Sequence, residues 1–172
     1  MVRLIGVFVL LFSCIGTGMW MGRKEQFRMQ QLGELIRSME FLKGEISFAR
    51  TTLPNAMEQL SKHTKPPFQL LYSRLALELK QHPGIGFGEI LYAMLESEKK
   101  NWDLLSEDVE QLYQACSNLG YLDKEMQIHI LERYIKEQEK KVEQLTSEIP
   151  QKMKLYRSLG VLGGVFLVIV FI

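Results

Sequence analysis

Apolar and polar positions divide the chain into three stretches. Val2 to Met21 is an apolar run broken only by Arg3 near its start, Leu159 to Ile172 is uncharged, and the residues between are rich in charge. An α-helix rising about 1.5 Å per residue needs roughly 20 apolar residues to cross a hydrocarbon core of about 30 Å. The first run meets that length. The second reaches the lower end of the spanning range when counted from Leu155, with Arg157 snorkelling toward water. The pattern therefore predicts a transmembrane helix over 1–22, a soluble body over 23–154 and a second transmembrane helix over 155–172.

The soluble stretch has a helical period throughout. Leu32, Leu35, Met39, Leu42, Ile46 and Ala49 follow one another in steps of three and four, one stripe along a helix. Thr51 and Thr52 precede Pro54, whose fixed φ suits a first helical turn, so a short second helix runs over 53–62 with Leu53, Ala56, Met57 and Leu60 inward. Pro66-Pro67 opens a third helix that turns Phe68, Leu71, Leu75 and Leu79 inward and ends at His82-Pro83-Gly84. A fourth, near 87–99, places Ile90, Leu91, Met94 and Leu95 on one side. Trp102 sits at the next turn, and Leu105, Val109, Leu112, Cys116 and Leu119 mark a fifth.

Gly120 then supplies the left-handed position that helix C-termini favour, and Asp123 can cap the start of a sixth helix. In that helix Ile128, Leu131, Ile135, Gln138, Val142, Leu145 and Ile149 hold a heptad register with one polar member. Pro150 should kink or restart it. No segment shows the alternation of a strand. The fold class is all-α, a six-helix bundle flanked by two transmembrane helices.

Arg23, Lys24 and Arg28 follow the first apolar run, and Lys152, Lys154 and Arg157 precede the second. Against Arg3 and the amino terminus, these put the soluble body in the cytoplasm. Lys152, Lys154, Tyr156 and Arg157 form a collar of the kind that sits at a membrane interface. The rival reading is a cleaved signal peptide, and Leu11-Phe12-Ser13-Cys14 approaches a lipoprotein processing box. The bulky Phe12 is a poor fit for that box, and the apolar run continues to Met21 before basic residues follow, which favours the transmembrane reading.

The chain has 21 basic and 20 acidic residues and a net charge of +1, so no overall field draws in nucleic acid. Its two cysteines, Cys14 and Cys116, fall in the first apolar run and in the fifth helix and give no disulfide framework. His63, His82 and His129 lie on different elements with no ligand spacing between them, so no metal or cofactor site is expected. Gly84-Ile85-Gly86-Phe87-Gly88 lacks the leading strand and the following Lys-Ser or Lys-Thr of a phosphate loop and is read as a turn. No catalytic constellation is visible, and the expectation is a protein that is not an enzyme.

The heptad leaves two readings open. It is either a core helix of its own bundle or an interface for another chain, which would make a homo-oligomer and suggest a membrane-tethered sensor. Gln138 discriminates, because a lone polar residue in a seam costs stability and often sets register or oligomer state.

Three pieces carry a family resemblance: Glu45-Ile46-Ser47-Phe48 followed by Thr52-Leu53-Pro54; Leu119-Gly120 with Asp123 and Gln127; and Lys152-Met153 with Tyr156-Arg157-Ser158-Leu159-Gly160 leading into Gly163-Gly164. With these the chain resembles the stage III sporulation protein AB family of endospore-forming bacteria. In that family proline directly follows the threonine near the second helix, whereas here Leu53 intervenes. The resemblance implies a component of the transenvelope complex between mother cell and forespore, in the mother-cell membrane surrounding the forespore. It also implies a helical domain similar to the cytoplasmic domains of type II secretion and type IV pilus platform proteins. The implied partners are the membrane and the other stage III sporulation AA–AH proteins, with the AA ATPase reached by fold-level analogy.

Overall fold

The chain folds into α-helices joined by short connections, in a computed structural model. The structure describes the backbone of residues 2–49 and 51–171, and the side chains of 23–48, 51–152, 154, 155, 158 and 162. Helix α1 spans Val2–Gly44 and runs into a π-helical turn, Glu45–Ala49. Then come α2 (Leu53–His63), α3 (Phe68–Gln81), α4 (Phe87–Glu98) with a 3₁₀ turn Lys99–Asn101, α5 (Ser106–Cys116) and α6 (Lys124–Phe171). Among the described residues there are six α-helices and no strand.

The terminal apolar runs are thus not separate helices: their backbone is continuous with α1 and α6. Only Gly22 separates the first run from strong helix formers such as Arg23, Lys24, Glu25 and Gln26, and one glycine, at about 1 kcal/mol, does not stop a long helix. The side chains of 1–22, and most of those beyond 155, lie outside the described residues. Among the described residues no helix is long and apolar enough to cross a membrane.

The chain forms two compact units. The larger, Gln30–Val142, holds the core in which the stripes read from the sequence meet. Leu32, Leu35, Met39 and Leu42 of α1 are buried there, with Ala56, Met57 and Leu60 of α2, Phe68, Leu71 and Leu75 of α3, and Leu91 and Leu95 of α4. Leu112 and Cys116 of α5 and Leu131 and Ile135 of α6 complete it. Trp102 closes one edge, its ring 5.0 Å from that of Phe68 and edge-on to it. The smaller unit comprises Met1–Met29 with Glu143–Ile172. In it Leu145 and Ile149 are buried, Thr146 Oγ1 donates to Met29 Sδ at 3.3 Å, and Lys152 pairs with Glu148 at 2.8 Å.

Several local expectations change. Leu105 is not on the buried face of α5. It stands in extended conformation just before the helix, half exposed, with its backbone N–H donated to the carboxylate of Asp108 at 3.0 Å. That hydrogen bond satisfies a donor at the helix start and holds Leu105 out of the helical register. Helix α5 ends at Cys116, earlier than the stripe suggests, and Leu119 is buried from the turn beyond. Pro150 does not restart the last helix, which runs through it. A proline removes one backbone hydrogen bond, and established turns on both sides carry that loss.

Candidate functional site

Three connections of the larger unit meet at one end: the π-helical turn after α1, the glycine-rich loop before α4 and the turn between α5 and α6. The last is built by Leu119, Gly120, Asp123 and Gln127. Leu119 is buried, and Gly120 has φ of 87°, a conformation that a side chain at this position would strain. A Cβ there would also lie 2.7 Å from the Leu53 side chain, so the turn sits directly on the start of α2. Asp123 Oδ1 accepts the Met126 N–H at 2.9 Å and caps α6. Gln127 reaches back, donating to the Leu122 carbonyl at 2.6 Å and accepting from the Gly120 N–H at 3.4 Å.

Lys124 Nζ donates to the Ser47 carbonyl, fastening the same turn to the end of α1, where π-helical geometry leaves carbonyls without helical partners. On the other side a Cβ at Gly86 would lie 2.7 Å from Tyr121 Oη, so the tyrosine side chain lies across the loop at this glycine. The result is a fastened surface that carries large apolar side chains in water. Phe48 is 89% exposed and Tyr121 72%, and Ile85 and Met126 are each close to half exposed. Singly, exposed apolar residues are ordinary; three on three converging connections, with Met126 in the first turn of α6, form a surface suited to covering by another protein.

The heptad residues are divided between the two units. In the larger, Leu131, Ile135 and Gln138 are buried and Ile128 and Val142 partly so; in the smaller, Leu145 and Ile149 are buried. Gln138 is fully buried and donates to Gln111 Oε1 at 2.8 Å. Lys141 Nζ reaches the same oxygen at 2.8 Å and Asp108 Oδ1 at 2.9 Å. The seam over Leu131 to Gln138 therefore packs against its own chain. The sequence reading missed Asp108 and Lys141; the signal was the acidic pair Glu107-Asp108 in the first turn of α5, where carboxylates satisfy free N–H groups.

Of the collar residues, Lys152 is paired with Glu148 and Lys154 is exposed, while the side chains of Tyr156 and Arg157 lie outside the described residues. The histidines are not brought together. His63 Nδ1 is 2.9 Å from the Gln59 carbonyl and its ring stacks on Phe41, His82 lies 3.1 Å from Glu78, and His129 is exposed. Among the described residues no group of three or more ligating side chains could hold a metal. Burial pushes the Cys116 thiol up to about 12 and raises the Tyr72 and Tyr134 hydroxyls, so these groups stay protonated in the core. On the surface, hydrogen bonds from Lys80 and Lys62 hold the Glu58 carboxyl below its ordinary range.

The family model for stage III sporulation protein AB matches residues 3–172. The chain belongs to that family. Membership ties it to stage III of sporulation. Two of the three sequence pieces that carry the family likeness, 45–54 and 119–127, are the segments fastened together at the apolar end described above. No curated protein and no solved structure matches the chain.

Proposed function

We propose that this chain is a membrane-anchored assembly platform, not an enzyme, in a secretion-like channel complex between mother cell and forespore. On this reading 1–22 and 155–172 span the mother-cell membrane around the forespore, and 23–154 is a cytoplasmic helical domain. Its partners are the other stage III sporulation AA–AH proteins, and it docks the AA ATPase. The observation that carries the reading is the convergence of two family segments on one fastened end that holds Phe48, Ile85, Tyr121 and Met126 in water. A surface that is rigid and apolar gains affinity from burial without the cost of ordering loops.

The test is deletion in sporulating cells followed by fractionation. Loss of the chain should arrest spore development after engulfment and shift the AA ATPase from the membrane to the soluble fraction. Full-length protein with Phe48→Ala and Tyr121→Ala should remain in the membrane yet leave the ATPase soluble. An ATPase that stays membrane-bound in the deletion strain would overturn the docking role.

A further inference from the structure

A second surface lies away from that end, on the paired outer faces of α4 and α5. Residues 87–118 carry seven carboxylates and two lysines; Asp103 lies on the connection, Glu98 is paired with Arg74, and Glu107 and Asp108 are paired with Lys141, which leaves Glu89, Glu96 and Glu110 on the helices beside the exposed aromatic pair. Tyr92 of α4 is 52% exposed and meets Tyr113 of α5 with ring centroids 5.5 Å apart at 67°. In such an edge-to-face pair one ring keeps an outer face free, and that face carries the negative part of the ring quadrupole. Glu89 lies one turn before Tyr92 on the same side of α4 and Glu96 one turn after it, while Glu110 lies one turn before Tyr113 on α5.

These carboxylates are not equivalent. Glu96 is engaged by Lys99 at 2.6 Å and Glu110 accepts from Gln114 at 3.1 Å, whereas Glu89 is exposed and has no ion pair or hydrogen bond among the described residues. The support beneath is fixed: a Cβ at Gly88 would lie 2.7 Å from the Ser117 carbonyl, so α4 and α5 are in backbone contact next to the tyrosines. Two aromatic rings on helices held at contact, beside a free carboxylate, are preorganised for a guanidinium that stacks on a ring and pairs with the acid.

We propose that the α4–α5 face is a docking surface for a basic protein segment, with an arginine seated on Tyr92 and Tyr113 and paired to Glu89. A second copy of this chain offering the same face is disfavoured, since a two-fold contact would set like carboxylates against one another. The proposal rests on the reading of the chain as an assembly component, and it gives that component two separate faces. One is apolar at the end of the unit and the other acidic and aromatic along its side.

The experiment uses the full chain in nanodiscs of neutral phosphatidylcholine, with 3-fluorotyrosine reporting each ring by fluorine NMR. The probe is an alanine-based helical peptide with arginines at i, i+3 and i+7, compared with the same peptide carrying glutamates. The arginine peptide should shift the Tyr92 and Tyr113 resonances saturably, and the glutamate peptide should not. Glu89→Gln and Tyr92→Ala should each weaken binding by roughly fivefold to tenfold with an unchanged melting temperature. Raising salt from about 50 to 200 mM should weaken it as well. Phe48→Ala with Tyr121→Ala should leave peptide binding intact, which separates failure of this face from failure of the apolar end. Equal shifts with both peptides, unaltered binding by both variants, or Tyr92 shifts that appear on concentrating the protein alone would overturn the proposal.

Discussion

Two layers along α6 occupy the same seam and are filled in opposite ways. At Leu131 and Ile135 the seam is hydrocarbon, buried in the core of the larger unit. At Gln138 it is equally buried, yet Gln138 donates to Gln111, whose Oε1 also accepts from Lys141, and Lys141 is ion-paired with Asp108. The hydrocarbon layer holds α6 against the core by burial, which is strong and non-directional. The polar layer contributes less net energy, since its groups gave up water to meet, but it has one register in which donors and acceptors match. Gln138 Oε1 has no partner among the described residues, so even that layer is incompletely satisfied there.

Breaking the hydrocarbon layer should cost most. Leu131→Ala should lower the unfolding free energy by about 4 kcal/mol, read from denaturant unfolding followed by circular dichroism. Asp108→Ala should cost about 3 kcal/mol, because it removes both the acceptor for the Leu105 N–H and the partner of Lys141, which is partly solvated and softens the loss. Lys141→Met with Asp108→Asn should recover part of that stability, and a double variant as unstable as Asp108→Ala would remove the ion pair from the account.

Alkaline pH sharpens the contrast from the core side. The folded chain keeps the Cys116 thiol protonated up to about 12, whereas the unfolded chain releases its proton near the ordinary 9.0. Stability from this group is fully present below pH 9 and is lost as pH rises from 9 toward 12, by at most about 1.4 kcal/mol per pH unit. Relative to Cys116→Ala, which retains Tyr72 and Tyr134, the parent should lose stability more steeply over that window; parallel curves would contradict the buried, protonated thiol. The smallest effect should be Gln138→Leu, within about 1 kcal/mol of the parent and on the stabilising side, since it removes an unsatisfied buried carbonyl while Lys141 still serves Gln111. A loss of about 4 kcal/mol, the cost expected for Leu131→Ala, would show that the polar layer holds the helix as strongly as the apolar one.

The apolar layer was legible and the polar one was not, for a physical reason. Burial of Leu131, Leu112 or Leu32 depends on periodicity, which a sequence displays directly. The fate of Gln138 depends on what another helix places opposite it, and periodicity cannot say that Gln111 and Asp108 of α5 arrive there to meet Gln138 and Lys141. The same division applies to the candidate surfaces. Gly120 and Asp123 could be read as turn chemistry, because cap and left-handed positions are local. The exposure of Phe48 and Tyr121 could not be read, because an apolar residue near a helix end looks the same whether it faces the core or water. Tyr92 and Tyr113, 21 positions apart in sequence, become a pair only when α4 packs on α5.

The fastened apolar end is the centre of the functional reading, and affinity measures it directly. Full-length protein in nanodiscs and the purified AA ATPase, its proposed partner, should form a complex that Phe48→Ala with Tyr121→Ala weakens by roughly tenfold or more, as expected when two central aromatic side chains are removed from an interface. The variant's melting temperature should match the parent's, since both side chains stand in water. Equal affinity for parent and double variant, at matched melting temperature, would contradict the account.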